Sequence, residues 1–168
     1  MRLETERLEF RRYNDFDFEF LFSLMYDPEM VKYIGLGDTR TREETRNFLD
    51  WIYSAYKLDS DLGLMLLVNK RDGNLIGHSG LIPQTVEGKT ELEIGCWISR
   101  RYWGNGYATE AGNALRAHGS KVLGSERFIA LVHPENIASK KVATKLGMNM
   151  EKEILVGGQN AHMYSVSR

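Results

Sequence analysis

The sequence predicts a mixed α+β fold, in which a largely antiparallel sheet of six to seven strands is flanked by helices. Residues 91–98 alternate between two sets of side chains, which is the period-two pattern of a strand. Short polar or glycine turns at residues 71–74 and 157–158 join further apolar stretches, as in antiparallel hairpins. Between these stretches, apolar residues recur at helical spacing.

The first third of the chain predicts one strand and two helical regions. Residues 3–12 alternate as a strand, and Asn14 or Asp15 is placed to cap the helix that follows. Asp27-Pro28 breaks or restarts that helix. Residues 41–44 then have the capping-box pattern at the start of a second helix.

The rest of the chain predicts most of the sheet. Strands are expected at residues 62–69, 75–83, 91–98, 127–133, 149–155 and 162–167. Helices are expected from Gly106 to about Val122 and at residues 136–146, with Gly147 at the C-terminal end of the latter.

Composition restricts the class of protein. The 168 residues are 42% hydrophobic and carry a net charge of −1, which predicts a single domain over residues 1–168 without nucleic-acid or membrane partners. One cysteine, Cys96, excludes an internal disulfide framework and predicts a cytoplasmic location. The four histidines show no metal-ligand spacing, so no metal is expected. A homodimer is expected only because dimers are frequent.

The segment Arg101-Tyr102-Trp103-Gly104-Asn105-Gly106 links the central strand to the next helix. The first N–H groups of a helix have no internal partner, and the helix dipole adds positive charge there. Two glycines let a ligand approach the backbone closely, so this junction suits an anion such as phosphate. A plain tight turn with Arg101 on the surface is the alternative.

This segment has the pattern R-x-x-G-x-G followed by Y-A, which resembles the acyl-CoA pyrophosphate loop of the GNAT N-acetyltransferase superfamily. Three further stretches resemble the RimJ/RimL-like branch: L-E-T-E-R-L-E-F-R-R, E-I-G-C-W-I and H-P-E-N-I-A-S-K-K-V-A-T-K-L-G-M. They occur in the family's order over nearly the whole chain. The resemblance implies an acyl-CoA N-acyltransferase fold, whose central strands splay in a V for the pantetheine arm.

The resemblance also implies which residues bind acetyl-CoA, the expected co-substrate. Loop N–H groups would bind the pyrophosphate, and the end of the central strand would pair with pantetheine amides. The residues expected at the cofactor are Trp97, Ile98, Ser99, Arg101, Gly104, Asn105, Gly106, Tyr107, Ala108, Asn136 and Ser139. For Asn136, helix capping is an equally good interpretation. A backbone N–H near Cys96 or Trp97 would polarise the thioester carbonyl.

Direct transfer to an amine needs a base of modest strength. Glu93 matches the glutamate of the branch's E-I-G-x-W pattern and is the first candidate, although a solvated or ion-paired carboxylate is an alternative. His78 is the second candidate, with His133 behind it, because histidine titrates near neutral pH. For both histidines, an ordinary hydrogen-bonded structural residue is the alternative.

The acid that protonates the leaving thiolate is less well defined. The tyrosine that many superfamily members carry on the following helix is missing here, and the branch pattern suggests Ser139 instead. Tyr164 is a further candidate, and a thiolate can also leave without an acid. An acyl-enzyme on Cys96 is disfavoured, because a cysteine on an apolar strand face usually packs.

The acceptor is left open as a primary amine. The branch resemblance implies a protein N-terminus, such as that of a ribosomal protein, whereas the same scaffold also serves polyamines, antibiotics and amino acids. Acidic residues of the first 44 positions would attract a cationic acceptor or simply complement helix N-termini. A non-catalytic acyl-CoA-binding regulatory module on this fold is the alternative function.

Overall fold

A computed structural model describes residues 1–167 and contains seven strands and five α-helices in that range. The strands are β1 (Leu8–Arg12), β2 (Gly63–Asn69), β3 (Leu75–Val86), β4 (Lys89–Ile98), β5 (Arg127–Val132), β6 (Asn149–Val156) and β7 (Gln159–Ser167). The helices are α1 (Phe18–Met25), α2 (Pro28–Val31), α3 (Arg42–Leu58), α4 (Tyr107–Val122) and α5 (Ile137–Lys145).

All seven strands form one mixed sheet in the order β1-β2-β3-β4-β5-β7-β6. Every neighbouring pair is antiparallel except β4 and β5, which are parallel. These two strands pair at a single position, Glu93 with Ile129, although β4 is paired with β3 along its whole length. Beyond that position they diverge, which confirms the predicted V between the central strands.

Helices cover both faces of the sheet. On one face, α4 and α5 pack against the even-numbered residues of β4, with Ala111, Leu115 and Leu146 in the core. On the opposite face, α1 and α3 pack against strands β2 and β3, with Leu21 and Ile52 fully buried. The predicted fold class is therefore confirmed, and the two faces of β4 meet different surroundings.

The helix starts follow the predicted local signals. Asn14 accepts a hydrogen bond from the Phe16 N–H, but the turn it caps, Asp15–Asp17, is a short 3-10 helix that leads into α1. Asp27 caps α2, which restarts the chain at Pro28. The predicted capping box of α3 is present between Thr41 and Glu44.

Several predicted boundaries differ from the structure: β4 begins at Lys89 rather than at residue 91, and β7 at Gln159 rather than at residue 162. Two further differences have a clear local cause. The first strand begins at Leu8 rather than at residue 3, because the chain turns back at Thr5, whose N–H donates to the Leu8 carbonyl. Strand β3 runs on to Val86 rather than ending at Pro83, because Glu87 and Gly88 both take positive φ angles, of 49° and 78°, and form a tight two-residue hairpin turn.

No helix within residues 1–167 combines the length and the apolar character that a membrane span requires.

Gly80 provides a test of how tightly the sheet is built. A Cβ atom at Gly80 would lie 2.0 Å from the carbonyl oxygen of Gly63 on the neighbouring strand β2. The backbone of β2 would have to shift, so we expect Gly80→Ala to lower the free energy of unfolding by about 2–3 kcal/mol or more. Urea denaturation measures this change.

Gly124→Ala is the control for that substitution. Gly124 lies in open space with φ +64°, so alanine there brings only backbone strain, of about 1 kcal/mol. Equal losses of stability in the two variants would contradict the close strand packing at Gly80.

Candidate active site

The candidate site is built around the V between β4 and β5 and the loop that follows β4. A 3-10 turn at Arg100–Tyr102 leads into this loop, and α4 begins at Tyr107. Gly104 and Gly106 have φ angles of +78° and +79°, a left-handed conformation that favours glycine. The loop is exposed on the surface from Trp103 to Gly106.

The start of α4 leaves backbone donors free. Gly106 is the N-cap residue and no side chain caps the helix. The first helical hydrogen bond runs from the Glu110 N–H to the Gly106 carbonyl, so the N–H groups of residues 107–109 have no partner inside the helix. The exposed Arg101 side chain lies beside the loop, over the ring of Tyr102. These features suit an anion such as the predicted pyrophosphate.

The N-terminal segment is fastened to the start of α4, which sequence reasoning missed. Glu110 accepts hydrogen bonds from the Thr5 hydroxyl, the Arg7 backbone N–H at 3.0 Å and the Arg7 Nε at 2.7 Å. The guanidinium carbon of Arg7 lies 4.2 Å from the ring centre of Tyr107. Burial raises the pKa of Glu110, but these hydrogen bonds outweigh it, so the pKa falls below its usual value. These contacts connect residues 5–7, the sequence T-E-R, to the first turn of α4, directly after the glycine loop.

The open edge of β4 can be assigned from its pairing with β3. In an antiparallel pair, successive residues point their backbone groups to alternate edges. The Ser99 N–H donates to the Ile76 carbonyl, so Ser99 and Trp97 point toward β3, whereas Cys96 and Ile98 point into the V. This corrects the prediction for Trp97 and Ser99, whose backbone groups cannot pair with pantetheine.

Two backbone positions of β4 therefore face the slot. The Ile98 carbonyl already accepts a hydrogen bond from the Trp103 indole at 2.7 Å. The N–H of Cys96 points into the V, whereas that of Trp97 points to β3. Of the two donors considered for the thioester carbonyl, Cys96 has the suitable direction.

Glu93 lies at the apex of the V, in the one pair that joins β4 to β5. It is half-buried and its Oε2 accepts a hydrogen bond from the Gln84 Nε2 at 2.7 Å. Burial raises the pKa of Glu93 to about 7, and the Gln84 hydrogen bond opposes part of that rise. No ion pair to Glu93 is present in residues 1–167, because Arg127 on β5 pairs with Glu91 instead. The carboxyl group can therefore exchange a proton near neutral pH.

His78 does not suit the role of base that was predicted for it. Its side chain is completely buried between Phe48 and Trp97, and its Nδ1 lies 2.6 Å from the Tyr13 hydroxyl. Burial lowers the pKa of His78 to about 3. An acceptor amine cannot reach the ring, so we correct this assignment: His78 is a neutral core residue.

The segment after β5 carries three of the predicted residues. His133 accepts the Glu135 N–H at its Nδ1 and its ring packs against Tyr33, 5.1 Å away. Asn136 caps α5 by accepting the Ser139 N–H at 3.1 Å, so the capping interpretation holds for Asn136 in this structure. Ser139 is half-buried, and its hydroxyl has no hydrogen-bond partner in the described part of the chain.

Cys96 packs into the core that α4 covers. Burial raises the pKa of its thiol to about 12, with a small opposing contribution from Ser79. A thiol that stays protonated at neutral pH is a poor nucleophile, so the packing interpretation fits the structure.

The acidic residues that could attract a cationic acceptor all lie at helix starts: Asp15, Asp17, Glu19, Asp27, Glu29, Glu43 and Glu44. Asp17 pairs with Arg11, and Asp27 caps α2 while also pairing with Arg100. Further surface pairs join Arg42 to Glu19 and Arg46 to Asp15 and Asp50. Ordinary helix N-terminal charge therefore accounts for these residues better than an acidic patch for a cationic acceptor does.

A cavity of about 550 Å³ lies between the β3–β4 and β6–β7 hairpins. The residues that line it include Gln84, Val86, Leu131, Glu153 and Ile154. Gln84 also holds Glu93, so the cavity ends one side chain away from the carboxylate. Its volume is in the range of small-ligand sites. Among residues 1–167, no three His, Cys, Asp or Glu side chains are grouped to hold a metal ion.

Comparison with known proteins identifies the family of the chain. The family described as the acetyltransferase (GNAT) domain matches residues 7–149. YkkB, an uncharacterized protein of Bacillus subtilis (strain 168), is 38% identical over 155 residues, which cover 91% of this chain and 88% of that protein.

Two solved structures have the same fold. A GNAT-family acetyltransferase from Bacillus anthracis has a TM-score of 0.82 and 28% identity, covering 99% of this chain and 98% of that one. RimL, a ribosomal L7/L12 α-N-protein acetyltransferase in complex with coenzyme A, has a TM-score of 0.80 and 16% identity, covering 99% of this chain and 98% of that one. The chain belongs to the GNAT acetyltransferase family and is an acetyl-CoA-dependent N-acetyltransferase.

Proposed function

We propose that the protein acetylates a primary α-amine by direct transfer from acetyl-CoA in a ternary complex, with Glu93 as the general base. The observation that carries the proposal is the position of Glu93. It stands where β4 and β5 part, has no ion-pair partner in residues 1–167, and has its pKa raised by burial to about 7. A base is most effective when its pKa lies near the working pH.

The co-substrate would bind along the V. The N–H groups of Gly104, Asn105, Gly106, Tyr107 and Ala108 would bind the pyrophosphate, as the free donors at the start of α4 suggest. Arg101 would flank the phosphates. The backbone of Cys96 and Ile98 would meet the pantetheine arm, and Cys96 would donate its N–H to the thioester carbonyl as charge develops on that oxygen.

Acetyl-CoA supplies the acetyl group as a thioester. The C–S bond of this thioester breaks, and a C–N bond forms between the acetyl carbon and the acceptor amine. Glu93 takes a proton from the attacking amine, directly or through one water. The thiolate that leaves has an ordinary pKa of about 8.5, so it needs little help from an acid. Ser139 and Tyr164 remain the candidates for that minor role.

The strength of the base favours an α-amine over an alkyl amine. A peptide α-amine has a pKa of about 8, so proton transfer to a carboxylate near 7 costs about 1.4 kcal/mol. A lysine-like amine near 10.4 costs about 4.6 kcal/mol for the same transfer. This difference supports an α-amine as acceptor, and the RimJ/RimL-like motifs favour a protein N-terminus among the α-amines. RimL itself is described as acting on ribosomal L7/L12.

The cavity beside Gln84 is the route by which we expect the acceptor to enter. It reaches the Glu93 side of the sheet, opposite to the face that α4 covers. Glu153 on its wall has no ion-pair partner in residues 1–167 and would favour a cationic amine.

Gly106→Ala tests the loop. Alanine removes the close backbone approach and adds left-handed strain, so we expect the Kd for acetyl-CoA, measured by calorimetric titration, to rise at least about tenfold. Gly124→Ala is the matched control, because Gly124 also has a positive φ and open surroundings but lies far from the loop in sequence. An unchanged Kd in Gly106→Ala would refute the loop assignment.

Glu93→Gln tests the base. The carboxyl group must be deprotonated to act, so kcat/KM of the parent should have an acid limb with a pKa of about 7, separate from the limb of the acceptor α-amine, whose pKa is about 8. We expect Glu93→Gln to lower kcat/KM by about 10²-fold or more and to remove the limb at about pH 7, while the limb of the amine stays. Glu126→Gln, at an exposed glutamate, is the control. Retention of both limbs in Glu93→Gln would show that another group is the base.

An acceptor panel tests the substrate class with a thiol-release assay. We expect turnover of peptides with a free N-terminus, and little turnover of the same peptides after N-terminal blocking, even when they contain lysine. Preferred turnover of polyamines, aminoglycosides or free amino acids would instead establish a small-molecule enzyme. Tight acetyl-CoA binding without turnover of any amine would favour the regulatory module.

A further inference from the structure

We propose that Gln84 is a positioning residue, which orients the Glu93 carboxyl group and serves it as a hydrogen-bond partner in both of its protonation states. The proposal rests on the assignment of Glu93 as base, and it adds a second residue on which that role depends. Nothing in the sequence around Gln84 singles it out, since a lone glutamine near a hairpin is an ordinary feature.

The geometry of the pair is fixed by the β3–β4 hairpin. Glu93 is opposite Ile82, and Gln84 is the diagonal neighbour two residues further along β3. The Gln84 Nε2 lies 2.7 Å from the Glu93 Oε2. The tight turn at Glu87 and Gly88 sets this register, because a slip of one residue would move Gln84 to the other face.

A glutamine suits a carboxyl group that must exchange a proton. Its amide has N–H donors and a carbonyl acceptor. The N–H can donate to the ionised Glu93, and after rotation of the amide the carbonyl can accept from the protonated one. A lysine at this position would only donate and would hold the carboxylate ionised, whereas an apolar residue would leave it without a partner.

Within residues 1–167, Gln84 is the one side chain that hydrogen-bonds to the Glu93 carboxyl group, and no charged group forms an ion pair with Glu93. On the strands around Glu93, Arg127 is shared by Glu91 and Glu151, and His78 is neutral. Several charges of the helical segments over this face pair at the surface, Arg42 with Glu19 and Arg46 with Asp15 and Asp50. Arg100, in the turn after β4, pairs with Asp27. Burial and Gln84 are the causes that shift the pKa of Glu93.

Gln84 also lies on the wall of the cavity, where its side chain makes no second hydrogen bond within residues 1–167. Its second N–H or its carbonyl is therefore available to a group that enters the cavity. Gln84 links the cavity to the base, so its substitution should change proton transfer as well as binding.

Two substitutions with opposite effects test the proposal in the full-length protein. Gln84→Met removes the partner, so the pKa of Glu93 should rise and the acid limb of kcat/KM should move to higher pH by about 0.5–1 unit. Gln84→Lys adds a positive charge, so the limb should move to lower pH by about 1 unit or more. The pH profile of kcat/KM with a free-N-terminus peptide measures both shifts.

Thr85→Met and Glu93→Gln are the controls. Thr85 is the next residue of β3 and also lines the cavity, so Thr85→Met changes the cavity and should leave the limb in place. If Glu93→Gln abolishes the limb but neither Gln84 variant moves it, the role of Gln84 is overturned while Glu93 stays the base. If the limb survives in Glu93→Gln, the proposed function itself fails. A shift of both Gln84 variants in the same direction would also overturn the proposal.

Discussion

The single contact between β4 and β5 is the constraint on which the site depends. One edge of strand β4 is paired with β3 along its whole length, whereas the other edge is paired with β5 only at Glu93 and Ile129. Backbone groups that a continuous sheet would bond to each other are left facing the V. Buried backbone groups need partners, so a ligand that presents amides in an extended form is the natural occupant. The same divergence places a carboxyl group at the apex.

Helix α4 holds the two arms of the V in place. Gly112 lets Leu146 approach the helix so closely that a Cβ there would lie 2.8 Å from the leucine side chain. Gly119 similarly lets Phe128 of β5 approach the helix, because a Cβ atom at Gly119 would lie 2.7 Å from the Phe128 ring. The N-terminal end of the helix is tied to Arg7 through Glu110. The position of the loop at residues 103–106 is thus set by packing along the whole helix and by the first residues of the chain.

Local signals predicted the elements, and long-range contacts decided the site. The capping box of Thr41, the turn at Gly157 and Gly158, and the glycine loop are readable because each depends on a few neighbouring residues. The interpretations that failed depended on surroundings. The alternation of β4 predicts which face each side chain occupies, but only pairing with β3 shows which backbone edge is open. The contacts Arg7–Glu110 and Gln84–Glu93 join residues that no local pattern connects.

Burial explains why Glu93, rather than His78, can serve as the base on this face of the sheet. Desolvation disfavours the charged form of either group. For the histidine the charged form is the protonated one, so burial lowers its pKa to about 3 and leaves a weak base. For the carboxyl group the charged form is the deprotonated one, so burial raises its pKa to about 7 and strengthens the base. Desolvation therefore makes His78 a weaker base and Glu93 a stronger one. The pattern E-I-G-C-W-I supplies Glu93, but burial in the folded sheet raises its pKa into the range that suits a general base near neutral pH.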